Sequence, residues 1–175
     1  VEANVKVDVS NANVSDNEDT LGVGMLVGVL AKYENGTIQT LSSGTVSNLT
    51  IEGKVEAVLP SSVKQTDAYG IGGIIGYADL NNKNGTIQIH GCTNDADVSG
   101  NVNTGGIVGR LDGTFRYSND TKYTASKLKQ KADILNCNGN GLILCDNVST
   151  KKAGSTIEGN YFGGIVGYSN QALVY

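Results

Sequence analysis

Hydrophobic positions along the chain fall in short runs of Val, Ile and Leu, separated by Gly, Asn, Thr and Ser. Runs of this length between turn-forming residues predict many short strands joined by tight turns. No stretch longer than about ten residues carries a helical period, so the prediction is an all-β chain. Four segments align on a Gly-apolar-apolar-Gly core: VGMLVGVL at 23–30, IGGIIGYA at 71–78, TGGIVGRL at 104–111 and FGGIVGYS at 162–169. Their last glycines, Gly28, Gly76, Gly109 and Gly167, are 48, 33 and 58 residues apart. A constant core with unequal spacing means insertions in loops around a fixed strand.

Each core has companions upstream. The most compact unit, residues 85–111, divides into strand a (Thr86 to His90), strand b (Asp95 to Ser99) and strand c (Gly106 to Leu111). Unit one places a near Val5–Val9, b near Asn13–Val14 and c at 24–30; unit two places them near Val46–Ile51, near Val55–Val58 and at 72–78. Unit four has a near Ile134–Cys137, b near Leu142–Cys145 and c at 163–169. The chain is read as one repeat domain with units of about 1–35, 36–84, 85–132 and 133–175. Three short strands cannot bury a face alone, whereas stacked units pair like strands in parallel and share an interior. The expected architecture is a short right-handed parallel β-solenoid of about four three-strand coils with loop insertions. An antiparallel β-sandwich also carries many short strands and is the alternative. Gly73, Gly106 and Gly164 are expected at sharp turns or positive φ, and Gly76, Gly109 and Gly167 where strand c meets a neighbour.

Composition sharpens this picture. Leu, Ile, Val and Phe make up about a quarter of the 175 residues, enough for a packed core. There is no Trp and there are only two Phe, so the core must be thin and layered. Gly, at 24 residues, is about twice its usual share, and Pro60 is the only proline. The net charge of −4 argues against general nucleic-acid affinity. It is uneven: residues 1–100 carry 5 basic and 12 acidic side chains, residues 101–175 carry 8 and 5. No apolar run approaches membrane-spanning length, so no membrane span is expected. A start at Val1 reads as a processed or trimmed fragment. Cys92, Cys137 and Cys145 lack the paired spacing of a zinc site and read as small buried hydrophobes.

The block GGIVGY, a following polar loop, a G-T-I strand, an Asn/Cys position and a Val-Ser-Gly strand together resemble the GLUG-motif repeat family. That family occurs in bacterial surface and secreted proteins, including appendages of IgA-specific metallopeptidases and surface proteins of gut Bacteroidetes. Unit three matches nearly throughout, with GTIQIHGC, DADVSG and GGIVGR; unit four keeps ILNC and FGGIVGYS. Units one and two depart from it, with Met25 and Leu26 in place of Gly-Ile and no cysteine. The resemblance implies an extracellular or cell-surface location and an adhesive or spacer role, and it supplies no catalytic residues. It also implies that Cys92 and Cys137 hold equivalent places on neighbouring coils. Stacked strands lie ~4.8 Å apart, and parallel Cβ vectors disfavour a bridge, so a ladder of free thiols is expected.

No motif in the sequence announces an active site, so no catalytic residue, cofactor or metal is assigned. His90, the only histidine, and Cys92 would share a face on an alternating strand, but Gly91 between them is a candidate bulge. Asp95, Asp97 and Ser99 open like a calcium loop, yet the distal acid such a loop needs falls on Gly106. They read as an Asx-rich turn. Thr37, Thr86 and Thr156 each precede Ile, without the Thr-x-Thr rows of an ice-binding face.

The distinctive departure from the repeat is the insertion at 112–133, DGTFRYSNDTKYTASKLKQKAD. Arg116, Lys122, Lys127, Lys129 and Lys131 are interleaved there with Phe115, Tyr117 and Tyr123. Aromatic faces stack on sugar rings while Lys and Arg meet carboxylate or sulfate. The ligand-binding candidates are therefore Arg116, Tyr117, Lys122, Tyr123, Lys127, Lys129 and Lys131. A second insertion, Leu59 to Ala68, lacks such a signature. The expected function is a non-catalytic surface module, an adhesin or stalk, whose partners are a host or bacterial glycan or surface protein and flanking repeats of the same polypeptide. The alternative is a β-helical polysaccharide-acting enzyme or a fragment of one, which three or more carboxylates on one face of adjacent coils would favour.

Overall fold

The computed structural model describes residues 1–8, 20–34, 37–39, 44–59, 68–80, 87–113, 134–145, 161–170 and 174. These residues are all-β, and strands from successive units pair in parallel. The first row is β6 (Gly44–Ser47), β10 (Ile87–His90) and β15 (Ile134–Leu135), with Val46, Ile89 and Ile134 in register. The second row joins the start of β7 (Thr50–Val58) to β11 (Thr93–Asn94) and β16 (Asn138–Gly139). The third joins β1 (Glu2–Asp8), the rest of β7, β12 (Asp97–Gly100) and β17 (Ile143–Cys145), aligning Val5, Val55, Val98 and Ile143.

Two further rows share the repeat core. The fourth is β2 (Thr20–Gly24), β8 (Ala68–Gly72), β13 (Thr104–Gly105) and β18 (Phe162–Gly163). The fifth is β3 (Val27–Leu30), β9 (Ile75–Asp79), β14 (Val108–Asp112) and β19 (Val166–Asn170). Its pairs Val27–Ile75, Ile75–Val108 and Val108–Val166 carry the same 48-, 33- and 58-residue offsets as the glycines. The parallel pairing overturns the antiparallel sandwich; among the described residues only β4 (Lys32–Glu34) and β5 (Thr37–Gln39) pair antiparallel.

Three expectations change in detail. Val5 pairs with Val55, so the strand assigned to position a of unit one stands in row b. Alternation of Val with Lys and Asp identifies a half-buried strand without saying which row it joins. The b strand expected near Asn13–Val14 lies outside the described residues. Strand c is two strands, because the chain bends at Gly73–Ile74 and Gly106–Ile107 so that Ile74, Ile75, Ile107 and Val108 all reach the core. Strand a likewise breaks, at a left-handed residue that recurs in register: Asn48 (φ 55°), Gly91 (φ 61°) and Asn136 (φ 51°). Asn and Gly are the residues that tolerate this conformation.

The interior is thin, as the composition required. One cluster stacks Ile51, Ile89, Ile134, Cys92, Ile74, Ile107, Ile75 and Val108; a second gathers Val55, Val98, Leu59, Tyr69 and Ile71. Where rows four and five meet, the backbones come too close for a side chain. A β-carbon at Gly76 would overlap the Val23 nitrogen, and one at Gly167 would lie 2.6 Å from the Thr104 nitrogen. Gly73 and Gly106 mark bends at φ outside the left-handed region; each instead faces the carbonyl oxygen of the next unit's glycine.

Candidate functional site

The insertion at 112–133 begins at the end of β14, and its described residues, Asp112 and Gly113, belong to a dense polar cluster. Register puts Tyr77, Arg110 and Tyr168 side by side on β9, β14 and β19. Strand spacing of ~4.8 Å then layers a guanidinium between two rings. Arg110 Cζ lies 5.9 Å from the Tyr77 centroid and 5.0 Å from that of Tyr168, within cation–π range. Two residues on, Asp79, Asp112 and Asn170 form the adjoining row.

The cluster is tied together at one carboxylate oxygen. Asp112 Oδ2 accepts a hydrogen bond from the Tyr77 hydroxyl at 2.9 Å and faces Arg110 Nε at 3.4 Å. Arg110 is only 7% exposed, so the charge is held by its partners rather than by water. Burial, followed by the carboxylates of Asp112 and Asp79, pushes the Tyr77 hydroxyl well above the usual phenol range. Tyr77 therefore keeps its proton and acts as a fixed donor. Asp112 Oδ1 is buried and has no hydrogen-bond partner among the described residues. The backbone closes the arrangement: Leu80 N–H donates to Asp112 O at 2.7 Å and Gly113 N–H to Asn170 O at 2.8 Å. Tyr161 packs on Tyr168 with centroids 5.1 Å apart.

This cluster was visible in the repeat alignment as GYAD, GRLD and GYSN at one offset. What the sequence could not supply is that the three segments are immediate neighbours. The ligand-binding candidates Arg116, Tyr117, Lys122, Tyr123, Lys127, Lys129 and Lys131 all lie outside the described residues.

The other candidates are resolved by their hydrogen-bond partners. Gly91, at positive φ, separates His90 from Cys92, and the Cys92 thiol donates to the His90 carbonyl at 3.5 Å. Imidazole and thiol are therefore not presented as a pair. Asp95 Oδ1 accepts from Asn140 Nδ2 at 2.8 Å and Asp97 Oδ1 from Leu142 N–H at 3.0 Å. Both acids thus fasten a turn of the next unit. The described residues bring carboxylates to adjacent positions in two places: Asp79 beside Asp112, with Asn170 third, and Glu2 beside Glu52. Among them no group of three or more His, Cys, Asp or Glu is arranged to hold a metal ion.

Cys92 and Cys137 are free and occupy equivalent positions, because Thr93–Asn138 and His90–Leu135 pair on either side of them. The Cys92 thiol also contacts Val46 O, and that of Cys137 contacts Ile89 O, at 3.7 Å each. The side chain of Cys145 lies outside the described residues. Burial pushes the Cys137 thiol up to about 11 from 9.0. A thiol raised in the folded state adds stability below its ordinary pKa and loses it as pH climbs through the folded value. Iodoacetamide should therefore label folded Cys137 slowly at neutral pH, with a rate still rising above pH 9, and stability should fall over the same range. Mass spectrometry of labelled peptides checks the first, urea midpoints the second.

Compared with known proteins, the chain matches no family model, no curated protein and no solved structure.

Proposed function

We propose that this chain is a non-catalytic surface or secreted module: a short right-handed parallel β-solenoid of about four coils that holds out the 112–133 insertion to bind acidic glycans. Support for the coil comes from the five rows, which successive units visit in one order and with one register. The observation that carries the display role is the anchoring of the insertion's first residues. Asp112 is gripped by Tyr77 and Arg110, and Gly113 by the Asn170 carbonyl. A binding loop gains affinity when its base is already ordered before the ligand arrives. The insertion then offers five basic side chains among aromatics, a composition suited to carboxylated or sulfated sugars.

The test is a glycan array probed with the chain and with a variant in which Arg116, Lys122, Lys127, Lys129 and Lys131 are changed to Ser. Binding to acidic glycans should weaken with added salt and vanish in the variant. Equal binding by the variant, or a blank array, removes the insertion from the role.

A further inference from the structure

Cys92 and Cys137 are nucleophilic side chains that the fold sets next to each other, and their sulfurs make the same contacts one unit apart. Cys92 Sγ lies 3.5 Å from His90 O and 3.7 Å from Val46 O. Cys137 Sγ lies 3.6 Å from Leu135 O and 3.7 Å from Ile89 O. His90 pairs with Leu135 and Val46 with Ile89, so one pattern is the other carried forward by one unit. The two side chains therefore share a rotamer, and their sulfurs repeat at the strand spacing of ~4.8 Å.

That separation selects the chemistry. A disulfide needs its sulfurs ~2 Å apart, which would require the paired strands to close up. One ion bonded to both sulfurs in a straight line, at ~2.3 Å each, spans ~4.6 Å. The donor set stops at two. Asn94, buried two residues on, commits both Nδ2 and Oδ1 to Ala96, and among the described residues no group of three or more His, Cys, Asp or Glu is arranged for a metal. The surroundings are apolar: Cys92 is buried in the cluster of Ile51, Ile89 and Ile134, with Cys137 packed against it. Burial pushes the Cys137 thiol up to about 11. An interior of this kind rejects a bare thiolate and accepts two thiolates neutralised by one divalent ion.

From this geometry we propose that Cys92 and Cys137 form a two-coordinate thiolate site, between units three and four, for a soft divalent d10 cation of the mercuric kind. Thiolate sulfur selects soft ions. Zinc, whose thiolate sites take four ligands, is excluded by the donor count. Uptake is ligand exchange: each sulfur gives an electron pair to the ion, two protons pass to water, and nothing is oxidised or reduced. The site needs only the parallel register of two units, so it stands apart from the display role and from whatever adjoins either end of the chain.

Mercuric chloride is the probe, added at one equivalent to the Cys145→Ala chain so that only the two thiols in question remain. Native mass spectrometry should show one ion per monomer with two protons lost. X-ray absorption at the mercury edge should find two sulfur neighbours at ~2.3 Å and no nitrogen or oxygen. The unsubstituted chain at one equivalent should give the same spectrum, which keeps the test decisive where a variant does not fold. Cys92→Ala or Cys137→Ala, each added to the Cys145→Ala chain, should surrender the ion to an excess of glutathione that leaves the two-thiol chain loaded. Zinc chloride in place of mercury should not bind. An ion shared between two chains, seen as a dimer in sedimentation velocity, overturns the proposal. So does a sulfur count other than two, zinc bound as firmly as mercury, or a folded one-thiol variant that holds the ion as well as its parent.

Discussion

Gly109→Ala should unfold the chain or lower its stability by about 3 kcal/mol or more, whereas Gly164→Ala should change it by less than about 0.5 kcal/mol. Both glycines belong to the repeat core, and their surroundings decide the difference. A β-carbon at Gly109 would overlap the Ile71 nitrogen and lie 2.7 Å from both the Asn103 oxygen and the Gly70 carbonyl carbon. All three are backbone atoms, two of them in β8, which is paired on both sides, so relief requires moving whole rows rather than one side chain. At Gly164 nothing lies within 4 Å. Urea unfolding of the two variants beside the parent measures the contrast. Equal losses would mean that conformational freedom, and not close approach, accounts for these glycines.

A second large loss is expected at Asn101. Its Oδ1 accepts from Leu59 N–H at 2.9 Å and its Nδ2 donates to Leu59 O at 2.7 Å, so one side chain satisfies both backbone groups of a residue 1% exposed. Asn101→Leu would strand both, and each unpartnered buried group costs about 1–3 kcal/mol. The expected loss is about 2–5 kcal/mol, with Asn101→Asp also destabilising because it removes the donor and buries a charge. Asn103 Nδ2 holds Tyr69 O at 2.8 Å in the same way. Together the two asparagines brace the chain on either side of the Leu59–Ala68 insertion from the following unit. The effect should therefore include faster hydrogen exchange at Leu59, a readout that a purely global loss would not single out.

Much of this architecture was legible before any coordinates. Glycine spacings of 48, 33 and 58 residues proved to be the register offsets of row five, because a backbone contact that excludes a side chain marks one position per unit. The equivalence of Cys92 and Cys137, which the resemblance implies, holds in the register on either side of them. Legibility failed where a residue's partner is a unit away. Asp95 and Asp97 look like calcium ligands in isolation, and their actual acceptor roles toward Asn140 and Leu142 lie 45 residues downstream. Asn101 and Asn103 likewise act on Leu59 and Tyr69, 42 and 34 residues upstream. The row of β1 was misassigned since its alternation, Val5 and Val7 inward, fits any half-buried row. The Tyr77–Arg110–Tyr168 layer was written in the alignment, but burial of an arginine between two rings depends on which strands are adjacent.

The unequal unit lengths have a thermodynamic side. Leu80 and Gly113 hold equivalent places after row five, and Ile89 and Ile134 equivalent places in row one. The link from Gly113 to Ile134 is more than twice as long as that from Leu80 to Ile89, yet both end in the same register. Closing a longer loop costs entropy only logarithmically, here about 0.7 kcal/mol. Against the contacts within each row that sum is small, so the junction after row five is a permissive graft point. Foreign sequence placed there would alter what the protein presents while the paired strands beneath it kept their alignment.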